Sequence, residues 1–234
     1  MTDFGSPVFG AWREAARAEW EAYSRHAFVE GMKDGTLPKA AFLHYLVQDY
    51  VFLIHFSRAW ALGVVKSGSR LEMTTCAGTV DALVNHEMRL HVEICAREGI
   101  SEDDLYNAAE AQPNLAYTRY VMDAGLSGDF LDLMAALAPC VFGYGEIGTR
   151  LAAEAVPEGP YAEWIATYAG EEYQGVCTTV AAMIEQAVAD RLGPDAMSLP
   201  RWDALCHRFR TATALEVDFW QMGLDGAAAQ GAAA

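Results

Sequence analysis

Apolar residues recur at three- and four-residue spacing through nearly the whole chain. There is almost no strict alternation and hardly any run rich in Val, Ile and Thr, so the pattern predicts helices and no strands. From Pro7 to Lys33 the spacing predicts one helix, closed by "DGTLP" with Gly35 and Pro38 as stop signals. A second helix is predicted over about 39–66 and a third over about 70–97, with Gly68 and Gly99 punctuating their ends. "SEDD" sets a Ser101 cap before an acidic first turn, which starts a short helix. Another helix is predicted over about 115–124, stopping at "GLSGD"; the next carries Cys140 and ends at "PEGP". A long helix over about 161–191 precedes "GPDAMSLP" and a last helix over about 200–222. The segment "GAAAQGAAA" is low-complexity and expected to be disordered. The organisation read from the pattern is one all-α domain over 1–225 and a tail over 226–234, with no linker and no internal repeat.

Three of these helices carry polar groups where the pattern asks for apolar ones. Taking Asp49 as origin, Phe52, Leu53, Phe56 and Trp60 fall on one helical face, so Asp49 stands in line with an aromatic stripe. An unpaired buried carboxylate is costly, so Asp49 either has a functional partner or lies at the stripe's edge and pairs with a neighbour. In "TALEVDFWQM" Glu216 precedes Trp220 by four residues, with Thr213 one turn behind, while Asp218 points elsewhere. An ordinary surface acid is the plain alternative there. Cys140 has Tyr144 at i+4 and follows Pro139 directly. Inside a helix a proline costs about 3 kcal/mol. If Pro139 opened a new helical segment, Cys140 would sit near its N-terminus, where free N–H groups and the dipole favour a thiolate. The other cysteines, at 76, 95, 177 and 206, have no such local device and read as core.

Composition narrows the partners. The 234 residues carry a formal charge of −16 with no cluster of Lys and Arg, which opposes binding to nucleic acid. The opening "MTDFGSPVFG" lacks the basic-then-apolar order of a secretion signal, and the longest uncharged run, "LMAALAPCVFGYG", is short for a membrane span. A cytoplasmic protein without a membrane partner is therefore expected. Five cysteines without CxxC or CxxH pairing argue against a disulfide framework.

The stretches "FVEGMKDGTLPKAAFLHYLVQDYVFLIHFSRA", "YTRYVMDAGLSGDFLDLMAALAPCVFGYGEIG", "YAEWIATYAGEEY" and "LEVDFW" resemble the thiaminase II (TenA) family of aminopyrimidine aminohydrolases. The resemblance runs from about Trp12 to Met222, with "GTLP…QDY", "PC" followed by Tyr at +4, "TY" and "ExxFW" in the same order. It implies an all-α, haem-oxygenase-like helical bundle, a homotetramer, and a pocket for a 4-amino-2-methylpyrimidine ring. By the same resemblance the nucleophile falls on Cys140, the ring-binding aspartate on Asp49 and the catalytic glutamate on Glu216. The pocket tyrosines fall on Tyr117, Tyr144 and Tyr168. Phe52 stands where the family often has Tyr, which keeps the stacking face and removes a phenol hydrogen bond. The "PC" pair puts the chain with the cysteine-bearing members.

The implied reaction is hydrolysis of 4-amino-5-aminomethyl-2-methylpyrimidine to the hydroxymethyl compound, and of thiamin to pyrimidine plus thiazole, in thiamin salvage. Thiolate addition breaks the ring's aromaticity and lets the substituent leave; Asp49 holds the ring, and Glu216 moves protons. No metal and no cofactor is expected.

Other residues admit other readings. "NHEMRLH" puts Glu87 and His91 at i+4, a spacing that suits a metal, but His86 and His91 are five apart and out of phase. A di-iron oxidase on this fold needs more inward ligands than the six histidines supply. Haem binding would rest on His26 alone as axial ligand. A non-catalytic pyrimidine- or thiamin-binding or regulatory protein would be expected to lose the set Cys140, Asp49 and Glu216, which this chain keeps.

Overall fold

A computed structural model describes residues 3–233, with side chains described through Ala227. The helices in chain order are α1 (Pro7–Ala15), α2 (Arg17–Ser24), α3 (Ala27–Asp34), α4 (Lys39–Lys66), α5 (Arg70–Ala82) and α6 (Met88–Arg97). They continue as α7 (Glu102–Tyr106), α8 (Gln112–Ser127), α9 (Phe130–Glu154), α10 (Ala162–Ala169), α11 (Glu171–Leu192) and α12 (Pro200–Ala233). A π-helical turn, Leu83–Glu87, joins α5 to α6, and a 3₁₀ turn, Ala196–Ser198, precedes α12. There is no strand among the described residues. The fold is all-α, as the pattern predicted.

The differences from the predicted elements have local causes. The single N-terminal helix is three helices: the backbone leaves helical geometry at Ala16 and again at Arg25. His26 then caps α3, its Nδ1 accepting the Phe28 N–H at 3.2 Å. The ring considered as a haem ligand thus spends a nitrogen on the backbone. The helix expected over about 161–191 breaks at Gly170, which is extended at φ −65° and ψ 152°. Gln174 stabilises the break by donating to the Tyr168 carbonyl at 2.8 Å. The last helix, expected to end near Met222, continues past Gly223 and Gly226 to Ala233, so residues 226–233 of the tail extend it and residue 234 lies outside the described residues.

α9 is the central helix and packs against α4, α8, α10, α11 and α12. It has the length and apolar character of a membrane span, but it is buried inside the fold. Asp129 and Asp132 form a capping box at its start, and Asp132 also receives Arg201 and Arg208 from α12. This arrangement satisfies the free N–H groups and fixes the register of α9 against α12. Two glycines let neighbours approach α9 closely. A Cβ on Gly143 would lie 2.1 Å from the Tyr23 ring, and one on Gly148 would lie 2.6 Å from the Tyr168 carbonyl carbon of α10. The close approach of α10 seats Tyr168 beside the middle of α9.

Pro139 does not open a new segment. It is the tenth residue of α9, so Cys140 is mid-helix and has no helix N-terminus beside it. Pro139 still has no N–H for the Ala135 carbonyl.

Candidate active site

The seven residues singled out from the sequence converge where α4, α8, α9, α10 and α12 meet. Asp49 and Phe52 come from α4, Tyr117 from α8, Cys140 and Tyr144 from α9, Tyr168 from α10 and Glu216 from α12. All seven are buried; Asp49 is 2% and Glu216 1% exposed, and Cys140 is the most open at 8%.

Around Cys140 lies one proton-handling set. The Tyr117 hydroxyl donates to Glu216 Oε1 at 2.8 Å. Burial raises the Glu216 carboxyl to about 8; the Tyr117 bond opposes that, Asp49 adds to it, and a hydrogen-bond interaction with the Cys140 thiol opposes it again. Burial likewise pushes the Cys140 thiol well above its ordinary range, with the acids Glu216, Glu87 and Asp49 adding repulsion. The lowered thiol pKa expected from a helix start is therefore overturned. Surroundings that are apolar and acidic rather than cationic favour the thiol over the thiolate.

A second set surrounds Asp49. Its Oδ2 accepts the Tyr45 hydroxyl at 3.0 Å and lies 2.7 Å from His91 Nε2. His91 Nδ1 faces the Glu87 carbonyl oxygen at 2.9 Å. A carbonyl only accepts, so Nδ1 carries a proton; Nε2 against a carboxylate then favours the imidazolium. Burial works against that charge, but hydrogen bonding and attraction from Asp49 outweigh it and the His91 pKa rises. Asp49 is thus buried with partners rather than at an exposed edge of the stripe, and its Oδ1 has no hydrogen-bond partner among the described residues. Tyr45 is held in turn by Trp164 Nε1 at 3.2 Å, with the Tyr144 hydroxyl 3.4 Å away.

Flat aromatic faces enclose both sets. Phe52 packs on Tyr117 with centroids 5.0 Å apart and on Phe56 at 5.1 Å. Tyr144 lies 5.0 Å from Tyr168 and 5.4 Å from Trp220. A cavity of about 200 Å³ reaches Cys140 from outside, walled by Glu87, Val141, Tyr168, Tyr173 and neighbours. Asp49, Tyr144 and Glu216 are not part of its lining. A larger open groove of about 790 Å³ between α1, α2 and α9 holds Arg–Glu pairs such as Arg13–Glu146 and none of the seven residues.

Sequence reasoning missed Tyr45 and Trp164 and took Glu87 and His91 only as a possible metal pair. Tyr45 was findable, since it precedes Asp49 by four residues on the same face. The π turn that presents Glu87 leaves no mark in the apolar spacing.

The TENA/THI-4/PQQC family model matches residues 13–226 of the chain. The chain belongs to this family. An uncharacterized protein of Haemophilus influenzae is 39% identical over 91% of this TenA-family chain and 96% of its own length. An aminopyrimidine aminohydrolase of Halalkalibacterium halodurans is 35% identical over 89% and 92%. Among solved structures, one from Silicibacter sp. TM1040, described as a TenA family transcription regulator, superposes with a TM-score of 0.93 at 57% identity, covering 96% of this chain and 99% of that one.

Proposed function

We propose that this TenA-family chain hydrolyses the arm of a 4-amino-2-methylpyrimidine, with Cys140 as nucleophile. It would convert the 5-aminomethyl compound to the hydroxymethyl one and release ammonia, and by the same route cleave thiamin to pyrimidine and thiazole. The observation that carries the reading is the burial together of Cys140, Glu216 and Asp49 from three helices, with Glu216 held by the Tyr117 hydroxyl at 2.8 Å. Relatives named aminopyrimidine aminohydrolases support it.

The chemistry follows from the proton inventory. Cys140 is a thiol at rest, so its proton must leave as the S–C bond forms, and ionised Glu216 is the base beside it. A carboxyl near 8 reaches either form at neutral pH for about 1.4 kcal/mol, which suits a group that takes and returns protons. The ring binds protonated at a nitrogen held by Asp49 Oδ1, and the electron pair displaced as sulfur adds moves onto that nitrogen. Glu216 then protonates the departing amine, and the C–N bond breaks. Water adds at the exocyclic carbon and gives its proton to Glu216; the S–C bond breaks, the sulfur takes that proton from Glu216, and the ring regains aromaticity. The balance is one water consumed and one ammonia released.

The regulatory reading has one observation on its side, the description of the Silicibacter structure. A charge of −16 opposes contact with a phosphate backbone. Turnover of the aminomethyl-pyrimidine and of thiamin, assayed side by side with the purified protein, decides between them. Hydrolysis of either that Cys140→Ser abolishes is expected. Tight pyrimidine binding without turnover would replace the hydrolase with a sensor.

A further inference from the structure

Glu87 has no part in the reaction above, yet it faces the same sulfur. The π turn carries it to the wall of the cavity that opens onto Cys140. Its Oε1 is fixed by the Tyr168 hydroxyl at 2.7 Å. Its Oε2 has no hydrogen-bond partner among the described residues, and the residue is half-buried on the cavity wall. Its backbone carbonyl holds His91 Nδ1 at 2.9 Å. Glu87 is therefore a carboxyl with one oxygen fixed and one free, on the wall of the same cavity as the nucleophile.

No Lys or Arg lines that cavity; besides Glu87 and Cys140 its polar side chains are Thr79, His86, Thr167, Tyr168, Glu172 and Tyr173. The free oxygen therefore has no Lys or Arg in the cavity to pair with. Burial, together with Asp49, raises the Glu87 pKa to about 7, while His91 and the Tyr168 bond oppose the rise. A ligand that brings a positive charge capable of donating N–H would remove that cost and fix the ionised form.

We propose that Glu87 is the specificity determinant for the substrate's arm, accepting an N–H of an alkylammonium group seated in the Cys140 cavity. This rests on the hydrolase reading for the identity of the ring and adds the choice of arm. It explains why the carboxyl is held by Tyr168 on one oxygen only.

The test is calorimetric binding in the Cys140→Ser background, so that nothing turns over, with Glu87 intact or replaced as Glu87→Gln. The two probes are 4-amino-5-aminomethyl-2-methylpyrimidine and its hydroxymethyl counterpart, which share the ring and differ in the charge of the arm. With Glu87 the aminomethyl compound is expected to bind more tightly, and Glu87→Gln should lower the ratio of the two affinities at least tenfold. Melting curves of both proteins show whether the replacement left the fold intact, and Glu87→Asp should restore part of the ratio. Equal losses for both probes, or an unchanged ratio, would overturn the proposal. If both pyrimidines bind with the expected ratio but the protein with Cys140 turns over neither, the hydrolase reading fails and the Glu87 assignment stands.

Discussion

Replacing Glu216 by Gln is expected to stabilise the protein while stopping its chemistry. The carboxyl titrates near 4.5 when solvated and near 8 in the fold, chiefly because it is buried. Below pH 4.5 the folded and unfolded chains both carry the proton, and Glu216 contributes no pH dependence. As pH rises from 4.5, the unfolded chain ionises freely while the folded one holds its proton until about 8. Stability is lost across that window at about 1.4 kcal/mol per pH unit, and the loss levels off above it. The difference between 8 and 4.5 corresponds to a full penalty of about 5 kcal/mol, of which about 3 is already felt at pH 7. Glutamine has nearly the same shape, its carbonyl oxygen still accepts the Tyr117 hydroxyl, and it does not titrate. Melting temperatures of wild type and Glu216→Gln should therefore diverge from pH 5 to pH 8, at one fixed protein concentration. For a chain of this length 1 kcal/mol moves the midpoint by about 2–4 °C, so the gap should grow by about 10 °C or more. Turnover should fall at least about a hundredfold, since the amide neither takes nor returns a proton. A gap that stays constant between pH 5 and pH 8 would refute the assignment of a raised carboxyl to this site.

Other outcomes follow from the same geometry. Iodoacetamide should label Cys140 slowly at pH 7 in the ligand-free protein and faster as pH climbs above 9, by peptide mapping, because burial and three acids hold the thiol protonated; rapid labelling at neutral pH would contradict this. Asp49→Asn should weaken calorimetric binding of the hydroxymethyl-pyrimidine, while Glu216→Gln binds it nearly as well as wild type; equal losses would sink the division between ring binding and proton transfer. Gly143→Ala should destabilise the protein by about 1–3 kcal/mol or more in urea unfolding, because its methyl would sit 2.1 Å from a Tyr23 ring that is fully enclosed. Light scattering after size exclusion is expected to give the mass of a homotetramer; a mass near 25.5 kDa would show a monomer.

The hydrophobic spacing by itself determined α4 over Lys39–Lys66, and with it the alignment of Asp49, Phe52 and Phe56 on one face. It did so because a long unbroken helix bounded by Pro38 and Gly68 is specified residue by residue along its own length. Cys140, Glu216 and the pocket tyrosines were legible as well, partly from polar groups on apolar faces and partly from family resemblance. The breaks at Ala16, Arg25 and Gly170 were not, since apolar spacing continues across each and the chain turns there to wrap the core. Nor was the state of the Cys140 thiol. The local dipeptide suggested a helix start and a low pKa, whereas Glu216, Glu87 and Asp49, each from a different part of the chain, push it the other way. The pairing of His91 with Asp49 spans 42 residues, with the π turn lying directly before the helix that carries His91. Electrostatics in a buried site is set by what surrounds a group in space, and neighbours in sequence are only a small part of that. The sequence determined which groups are present and which face each one takes. Only the tertiary structure decided which of them carry protons.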